Sequence, residues 1–212
     1  MNIKSFVFNP FGENTYIIWN EKSKEAAIID PGCHNDKEKS ALSSFIADNK
    51  LEIKQLLNTH MHIDHCAGNA FIEKEFGVAT SCNLLDTYLA NAVNEQAQMF
   101  GFPYYDGNIK IYNNLSDNEI IKIAGTDCKI LHIPGHSKGH LAYYLPKYDI
   151  VFAGDALFRM SIGRTDLPGG NYNELINSIE EKLLTLPRQT VVMPGHGIKT
   201  TIGDEQQYNP FL

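Results

Sequence analysis

The chain has 212 residues and a net charge of −7, which would repel a phosphate backbone unless basic residues clustered, and the sequence contains no such cluster. Its 43% hydrophobic and 20% charged residues are inconsistent with a disordered chain, and no apolar stretch approaches membrane-spanning length. We therefore expect one domain over residues 1–212 that binds neither nucleic acid nor a membrane. Its oligomeric state stays open.

The cellular compartment is indicated by the N-terminus and the cysteines. The first ten residues contain one lysine and lack the long apolar run and small-residue cleavage site of a secretory signal. The four cysteines, at positions 33, 66, 82 and 128, form no closely spaced pair of the kind that marks a zinc knuckle or a redox motif. Reduced thiols in a cytoplasm fit this pattern best.

The first half of the chain alternates strands and helices. Hydrophobic patterns bounded by turn formers predict strands at 3–8, 15–19, 25–29, 53–58 and 78–80. Helical spacing of apolar residues predicts helices at about 36–49, 69–76 and 84–99, the first of them capped by Asn35 or Asp36. This alternation is typical of an α/β protein.

The second half begins with an irregular aromatic segment at 100–115, which contains Tyr104 and Tyr105 and could form a lid. Strands are predicted at 119–123, 128–133, 141–145, 150–152 and 190–193, with a helix at 172–184. Two β-rich halves with helices outside predict two mixed sheets packed face to face and flanked by helices.

A dense group of potential metal ligands directly follows the strand at 53–58. His60, His62, Asp64 and His65 fall within six residues, in a loop where side chains can converge from different backbone directions. Neutral imidazoles and a carboxylate are the ligands that zinc and related divalent ions prefer. A solvated polar loop is the alternative, but this spacing is typical of metal coordination.

Three further glycine-rich motifs each follow a predicted strand. They are Pro134-Gly135-His136-Ser137, Gly154-Asp155-Ala156 and Pro194-Gly195-His196-Gly197. Glycine lets the backbone approach a crowded site, and strands that end at one sheet edge would bring His136, Asp155 and His196 together. These three residues complete a set of seven candidate ligands.

Neighbouring polar residues have competing structural interpretations. His132 alternates with an isoleucine on a strand, so we expect it in the core or bonded to a ligand, and His140 either bonds a ligand or has a structural role. Asp30 either forms an ordinary turn or cap or orients a ligand histidine. Arg164 and Asp166 are expected to form a structural ion pair. Cys66 is expected to be a small buried residue.

These motifs, in their order, resemble the metallo-β-lactamase superfamily and within it the small glyoxalase II-like hydrolases. The resemblance covers nearly the whole chain and is carried by Asn-Pro-Phe-Gly-Glu-Asn-Thr-Tyr, Ile-Ile-Asp-Pro-Gly, His-x-His-x-Asp-His, Pro-Gly-His-Ser, Gly-Asp-Ala-Leu-Phe, Ser-Ile-Gly-Arg-Thr-Asp-Leu-Pro-Gly-Gly and Pro-Gly-His-Gly. It implies a four-layer αβ/βα sandwich with the site at the rim between the two sheets.

The resemblance also implies a ligand set for two zinc ions, with iron or manganese feasible on ligand type. One metal would be held by His60, His62 and His136, the other by Asp64, His65 and His196, and Asp155 would bridge them. Two dications that share a bridging water lower its pKa, so hydroxide would be available as the nucleophile. Asp64 would also orient that water or take its proton.

The substrate is not fixed by the resemblance. Hydrolysis of a thioester or a related small acyl compound is the leading hypothesis. Persulfide dioxygenases are similar in sequence but use one iron at the positions matching His60, His136 and Asp155, and a lactonase or a non-enzymatic metal-binding module also remain open.

Recognition of glutathione is the point at which the resemblance is weakest. Only sixteen residues follow His196, so we expect no C-terminal helical domain of the kind that supplies part of the glutathione site in glyoxalase II. Substrate contacts would then come from 83–115, where Tyr88, Tyr104 and Tyr105 could line a pocket, or from 156–172.

Overall fold

The computed structural model describes residues 1–102 and 109–212. The chain divides into two compact units, the first of residues 1–114 with 123–125 and the second of residues 115–122 with 126–212. The possible lid residues Tyr104 and Tyr105 lie outside the described residues. Whether the whole chain behaves as one domain stays a prediction.

The first unit contains a mixed sheet. Its strands are β1 (Asn2–Phe8), β2 (Glu13–Trp19), β3 (Glu25–Ile29), β4 (Glu52–Leu57), β5 (Thr80–Cys82) and β6 (Asn113–Asn114), and they lie in this order across the sheet. The β1-β2-β3 meander is antiparallel, whereas β3, β4, β5 and β6 run parallel. The parallel strands therefore all end at one edge, and the segments that follow them meet there.

Helices connect and cover these parallel strands. They are α1 (Asp36–Asp48), α2 (Ile63–Cys66), α3 (Asn69–Phe76), α4 (Thr87–Asn91) and α5 (Val93–Phe100). Asn35 caps α1 by accepting a hydrogen bond from the Glu38 main chain, and Gly77 ends α3 in the left-handed conformation. Leu42 of α1 and Ile72 of α3 are fully buried in one core cluster with strand residues of the sheet.

The single helix predicted at 84–99 is wrong, because this segment is broken into three pieces. A 3₁₀ turn at Leu84–Asp86 is followed by α4, and the non-helical backbone of Ala92 separates α4 from α5. The Asn83 side chain accepts a hydrogen bond from the Leu85 main chain, a local bond that competes with regular helix formation. Apolar spacing alone did not reveal these interruptions.

The second unit contains another mixed sheet and a separate hairpin. In chain order the sheet strands are β7 (Ile120–Ile123), β8 (Thr126–His132), β9 (Leu141–Leu145), β10 (Ile150–Gly154), β13 (Val191–Pro194) and β14 (Thr200–Thr201), and their spatial order is β14-β13-β10-β9-β8-β7. The hairpin pairs β11 (Leu157–Phe158) with β12 (Ser161–Ile162). Strands β8, β10 and β13 point the same way, because β10 is parallel to β13 and both β8 and β10 are antiparallel to β9.

One helix packs on this second sheet through a continuous apolar stripe. It is α6 (Tyr172–Ser178), which continues as a π-helical turn at Ile179–Leu183, and α7 (Ile202–Tyr208) follows β14. Leu175, Ile179 and Leu183 are fully buried in one cluster with strand residues such as Val151 and Val192. The predicted helix at 172–184 is confirmed in place, although its second half has π geometry.

The predicted α/β class with two mixed sheets and packed helices is confirmed. Among the described residues, no helix is long and apolar enough to cross a membrane. All four cysteines are free and buried, and burial raises the pKa of the Cys66 thiol well above its ordinary value. Cys66 is therefore a neutral buried side chain, as the sequence predicts.

Candidate metal centre

The histidine-rich loop of the first unit follows the carboxyl end of β4. His60 and His65 are fully buried and His62 is 6% exposed. The His60 ring centroid lies 4.7 Å from that of His62 and 4.2 Å from that of His65. Asp64 Oδ2 lies 3.7 Å from His65 Nε2, and this carboxylate is 16% exposed. The structure thus brings the four predicted ligands of this loop together, with Asp64 the one most open to solvent.

Asp30, at the end of β3, orients this loop. One of its carboxylate oxygens accepts the Thr59 main-chain N–H at 2.7 Å, and the other accepts the Thr59 hydroxyl at 2.7 Å and the His65 Nδ1–H at 3.1 Å. Because β3 and β4 are parallel neighbours, Asp30 and Thr59 emerge at the same edge of the sheet. The bond to Nδ1 leaves His65 Nε2 available to a metal, so Asp30 orients a candidate ligand histidine rather than only forming a turn.

Two polar side chains that the sequence analysis missed hold the backbone of the loop. Asp86, just after β5, accepts the Met61 N–H at 3.2 Å. Gln96 of α5 accepts the Ile63 N–H at 3.0 Å and donates to the Met61 carbonyl at 3.3 Å and the Leu89 carbonyl at 2.9 Å. No position shared with Asp30 marks Asp86 in the sequence, because Asp30 directly follows β3 whereas Asp86 lies four residues after β5.

Asn9 and Gly32 fix the start of α2 from the other side. The Asn9 amide donates to the Asp64 carbonyl at 2.9 Å and to the Gly32 carbonyl at 3.1 Å. A side-chain carbon at Gly32 would overlap the Glu13 carboxyl group and the Asp64 carbonyl oxygen. Glycine is therefore required here for close packing against a predicted ligand.

The Glu13 carboxyl group lies behind the loop and is fully buried. It accepts the Thr15 hydroxyl at 2.9 Å, and its other oxygen has no hydrogen-bond partner among the described residues. Burial raises the pKa of Glu13 well above its ordinary value, partly offset by the neighbouring His65. The folded, metal-free protein thus favours a neutral Glu13.

The second unit brings its three predicted ligands to one sheet edge. His136, Asp155 and His196 follow β8, β10 and β13, the three strands that point the same way. Asp155 Oδ2 lies 3.7 Å from His136 Nε2 and 3.5 Å from His196 Nε2. One carboxylate oxygen therefore faces two imidazole nitrogens, an arrangement in which imidazoles and a carboxylate can hold metal together. His196 is the most open of the three, with 25% of its side chain exposed.

Two of these candidate ligands, His136 and Asp155, are also held by a second contact. The His136 Nδ1–H donates to the Arg164 carbonyl at 2.7 Å, which leaves Nε2 facing Asp155. His140 Nε2 accepts the Asp155 main-chain N–H at 3.0 Å, so it bonds a candidate ligand, which fits one of its two predicted roles. A side-chain carbon at Gly163 would overlap the Asp155 carbonyl oxygen, so the end of the β11–β12 hairpin packs directly on the ligands.

The remaining polar predictions have mixed outcomes. His132 is not a core residue: it is partly exposed, and its Nε2 bonds the Lys138 carbonyl at 2.8 Å. The predicted Arg164–Asp166 ion pair is present, and the guanidinium holds the pKa of the Asp166 carboxyl at about 2. Tyr88 packs against the core cluster that contains α4 and α5.

The donor types and their second contacts fit a divalent transition metal. Imidazole and carboxylate donors suit zinc, iron and manganese. In each unit a ligand imidazole donates its Nδ1–H to a protein oxygen, which fixes the ring and leaves Nε2 for coordination. Burial removes competing water from His60, His65 and His136.

Comparisons with known proteins agree with this chemistry. The family described as the metallo-beta-lactamase superfamily matches residues 8–196. The chain is 40% identical to hydroxyacylglutathione hydrolase GloC of Haemophilus influenzae, over 100% of this chain and 98% of that protein.

Two solved structures share its fold over nearly their whole length. The BLEG-1 B3 metallo-beta-lactamase superposes with a TM-score of 0.89 at 34% identity, covering 100% of this chain and 99% of the other. TTHA1623 in a di-iron-bound form superposes with a TM-score of 0.86 at 34% identity, covering 99% and 100%.

Proposed function

The chain belongs to the metallo-β-lactamase superfamily and is 40% identical to a protein named as a hydroxyacylglutathione hydrolase, and we propose that it is a two-zinc hydrolase of thioesters or related small acyl compounds. The observation that carries the proposal is the position of Asp155, one oxygen of which faces both His136 Nε2 and His196 Nε2. A carboxylate oxygen between two imidazoles can bridge two metals, and the seven candidate ligands exceed the four positions that one zinc ion usually takes. Free, buried cysteines support a reducing compartment such as the cytoplasm.

The seven ligands divide between two metals in this proposal. His60, His62 and His136 hold one metal, Asp64, His65 and His196 hold the other, and Asp155 bridges them. The hydrogen bonds that fix His65 and His136 through Nδ1 support this assignment, because each leaves Nε2 as the coordinating atom.

When bound, two such metals supply a water activated near neutral pH and Lewis acid polarisation of the scissile carbonyl. The protein's own side chains would fix the imidazole tautomers and accept a proton. Asp64, partly exposed and 3.7 Å from His65 Nε2, is placed to accept a proton at Oδ2. Asp30 keeps the proton of the adjacent His65 ring on Nδ1, so that His65 Nε2 and Asp64 do not compete for the same proton.

The acyl thioester is proposed because of the relative that matches the full chain. That protein is named for hydrolysis of hydroxyacylglutathione, and the two chains align from end to end without a large insertion or deletion. A thioester also suits the proposed chemistry, because its carbonyl needs polarisation and its thiolate leaves readily.

The test combines metal analysis with turnover. Protein purified with its metals should contain about two zinc ions per chain, as the two-metal chemistry requires, and should hydrolyse S-lactoylglutathione. One iron per chain with oxygen consumption on glutathione persulfide would refute the proposal in favour of a persulfide dioxygenase. Metal without turnover on thioesters, lactones or phosphoesters would refute it in favour of a binding role.

The role of Asp64 is tested separately. Asp64→Asn should lower kcat by about a hundredfold or more if this carboxylate handles a proton. A variant that keeps both metals and full turnover would exclude that role. Asp127→Asn is the matched control, since it also removes one negative charge, from an exposed side chain that pairs with Lys122 and is not a proposed ligand.

A further inference from the structure

The β11–β12 hairpin packs on two of the second unit's candidate ligands, yet it is too short to hold its own shape. Its ladder has only two residue pairs, Leu157 with Ile162 and Phe158 with Ser161. Isolated two-stranded hairpins are at best marginally stable in water. The position of this hairpin must therefore come from its contacts with the rest of the second unit.

The end of the hairpin farthest from its turn lies directly against His136 and Asp155. The Gly163 N–H donates to the Ala156 carbonyl at 3.3 Å, which extends the hairpin as far as the candidate ligands. A side-chain carbon at Gly163 would lie 1.8 Å from the Asp155 carbonyl oxygen and 3.1 Å from His136 Nδ1. The next carbonyl, that of Arg164, accepts the His136 Nδ1–H at 2.7 Å. Any shift of the hairpin therefore alters the hydrogen bond that fixes the His136 ring.

The turn of the hairpin is held by Glu205, a side chain of α7 that is only 1% exposed. One carboxylate oxygen accepts the Thr200 hydroxyl at 2.5 Å. The other accepts the Met160 main-chain N–H at 2.9 Å and the Asn209 side-chain amide at 2.8 Å. The same Asn209 amide also donates to the Ser161 carbonyl at 3.1 Å. Two consecutive residues of the hairpin are thus bonded to α7 and to the segment directly after it.

The backbone of Met160 shows that the turn depends on this support. Its φ angle is 59°, in the left-handed region that residues with a side-chain β-carbon rarely adopt. Such a conformation costs free energy and persists only where surrounding contacts determine it. Because the Met160 side chain is 46% exposed, its packing contributes little. The hydrogen bond from its N–H to Glu205 is therefore the contact best placed to hold the turn.

We propose that Glu205 is a positioning residue of the candidate metal centre, which holds the hairpin so that His136 and Asp155 keep the geometry a metal needs. The inference rests on the proposed ligand set, in which Glu205 has no place. Glu205 acts through the hairpin, from the side opposite to the one that contacts the candidate ligands.

Two substitutions of similar volume separate hydrogen bonding from simple loss of packing. Glu205→Leu removes the acceptor of all three bonds, whereas Glu205→Gln keeps an oxygen for the Met160 N–H and the Asn209 amide and can donate its NH₂ group to the Thr200 hydroxyl. In zinc competition against a chromophoric chelator, Glu205→Leu should lower the affinity by about tenfold or more, as for other losses of supporting contacts. Glu205→Gln should lower it by less than about threefold, because each bond is kept.

NMR of the ring N–H protons in the metal-free protein gives a reading that does not depend on zinc or on activity. The Nδ1–H groups of His136 and His65 are both buried and hydrogen-bonded, so one spectrum reports the second unit and the first. In Glu205→Leu the His136 proton should exchange with water about tenfold faster or more, because the hairpin opens locally, while the His65 proton is unchanged. Glu205→Gln should leave both protons protected.

A core substitution in the same unit controls for lost stability. Leu183 is fully buried among apolar residues, and Leu183→Ala should weaken the fold by leaving a cavity. It should nevertheless leave the His136 proton and the zinc affinity as they are in the unmodified protein. If Glu205→Leu does not fold, Glu205→Asp provides the comparison, because a side chain one carbon shorter keeps its charge but should lose the bond to Met160.

Three results would overturn the proposal. Unchanged exchange of the His136 proton in Glu205→Leu would show that the packing of Leu157 and Ile162 holds the hairpin without Glu205. Faster exchange at unchanged zinc affinity would remove the role at the metal centre. An equal change in Leu183→Ala would show that any loss of packing disturbs His136. If the unmodified protein cleaves no thioester but Glu205→Leu shows both losses, the proposed hydrolysis fails and the positioning role stands.

Discussion

Replacing Asp30 with asparagine measures how far the histidine-rich loop depends on one buried carboxylate. Asp30 is 2% exposed and accepts three hydrogen bonds, two from Thr59 and one from His65 Nδ1. Asparagine keeps an oxygen for the Thr59 main chain but turns an NH₂ group toward the Thr59 hydroxyl and the His65 ring. The Thr59 hydroxyl, which also bonds His60 Nδ1 at 3.0 Å, can accept from that group, whereas the His65 Nδ1–H would meet an N–H donor, so the bond to His65 must change.

The expected magnitude follows from that single bond. A hydrogen bond to a charged group contributes about 1.5–3 kcal/mol, and the free energy of unfolding of the metal-free protein should fall by about that amount. The new NH₂ group also favours the tautomer with the proton on His65 Nε2, the atom that faces Asp64. Metal affinity should therefore fall by about tenfold to a hundredfold, as for other losses of such supporting contacts.

Urea unfolding of the metal-free protein measures the first effect, and zinc competition against a chromophoric chelator measures the second. Asp127→Asn is the control for loss of one aspartate charge, because Asp127 is exposed and paired with Lys122 on the surface. It should change neither measurement. If Asp30→Asn bound zinc as tightly as the unmodified protein, the orientation of His65 would not depend on this carboxylate, and the argument would be refuted.

Three other changes follow from buried contacts. Burial raises the pKa of Glu13 above its ordinary value of 4.5. The neutral carboxyl group therefore stabilises the folded, metal-free protein fully below that pH, and this stabilisation is lost as pH rises toward the pKa of the folded state. Glu13→Gln should therefore be the more stable protein at pH 7, and urea unfolding curves with the same pH slope for both proteins would contradict this. Gly163→Ala should cost about 1–3 kcal/mol in the same assay and reduce zinc content, because the added carbon overlaps the Asp155 carbonyl. Gly77→Ala, at a helix end with open space around it, should cost only the backbone strain, about 1 kcal/mol, and leave zinc content unchanged. Gln96→Leu removes the partner of three backbone groups and should cost about 1–3 kcal/mol with weaker zinc binding; loss of stability at full zinc affinity would show that the loop holds its shape without this side chain.

The sequence was most informative where periodicity was strong. The strands at 25–29 and 141–145 and the helix at 69–76 have the predicted bounds, because each combines a clear apolar pattern with turn or cap residues at both ends. The two-residue strands of the β11–β12 hairpin were missed, since two residues cannot display a period. Helix α7 was also missed, because its sequence is mostly polar and its few buried positions give no apolar stripe.

The grouping of the candidate ligands was predictable for a different reason. Metal coordination restricts residue type and spacing, so the loop from His60 to His65 and the three glycine-rich motifs are visible in sequence. The residues that orient those ligands are not restricted in this way. Any acceptor at the right place can bond an imidazole, as the Arg164 carbonyl does for His136, and a main-chain carbonyl leaves no trace in residue identity.

Each unit orients one candidate ligand imidazole through a hydrogen bond from its Nδ1–H, but the two acceptors differ in charge. His65 donates its Nδ1–H to the Asp30 carboxylate, whereas His136 donates to the neutral Arg164 carbonyl. A negatively charged acceptor makes the ring a stronger electron donor than a neutral acceptor does, so His65 is expected to be the more basic ligand. His65 also lies next to a second anion, Asp64. The carboxylate beside His136 is that of Asp155, which also faces His196. The first unit's candidate ligands should therefore contribute the larger share of metal affinity.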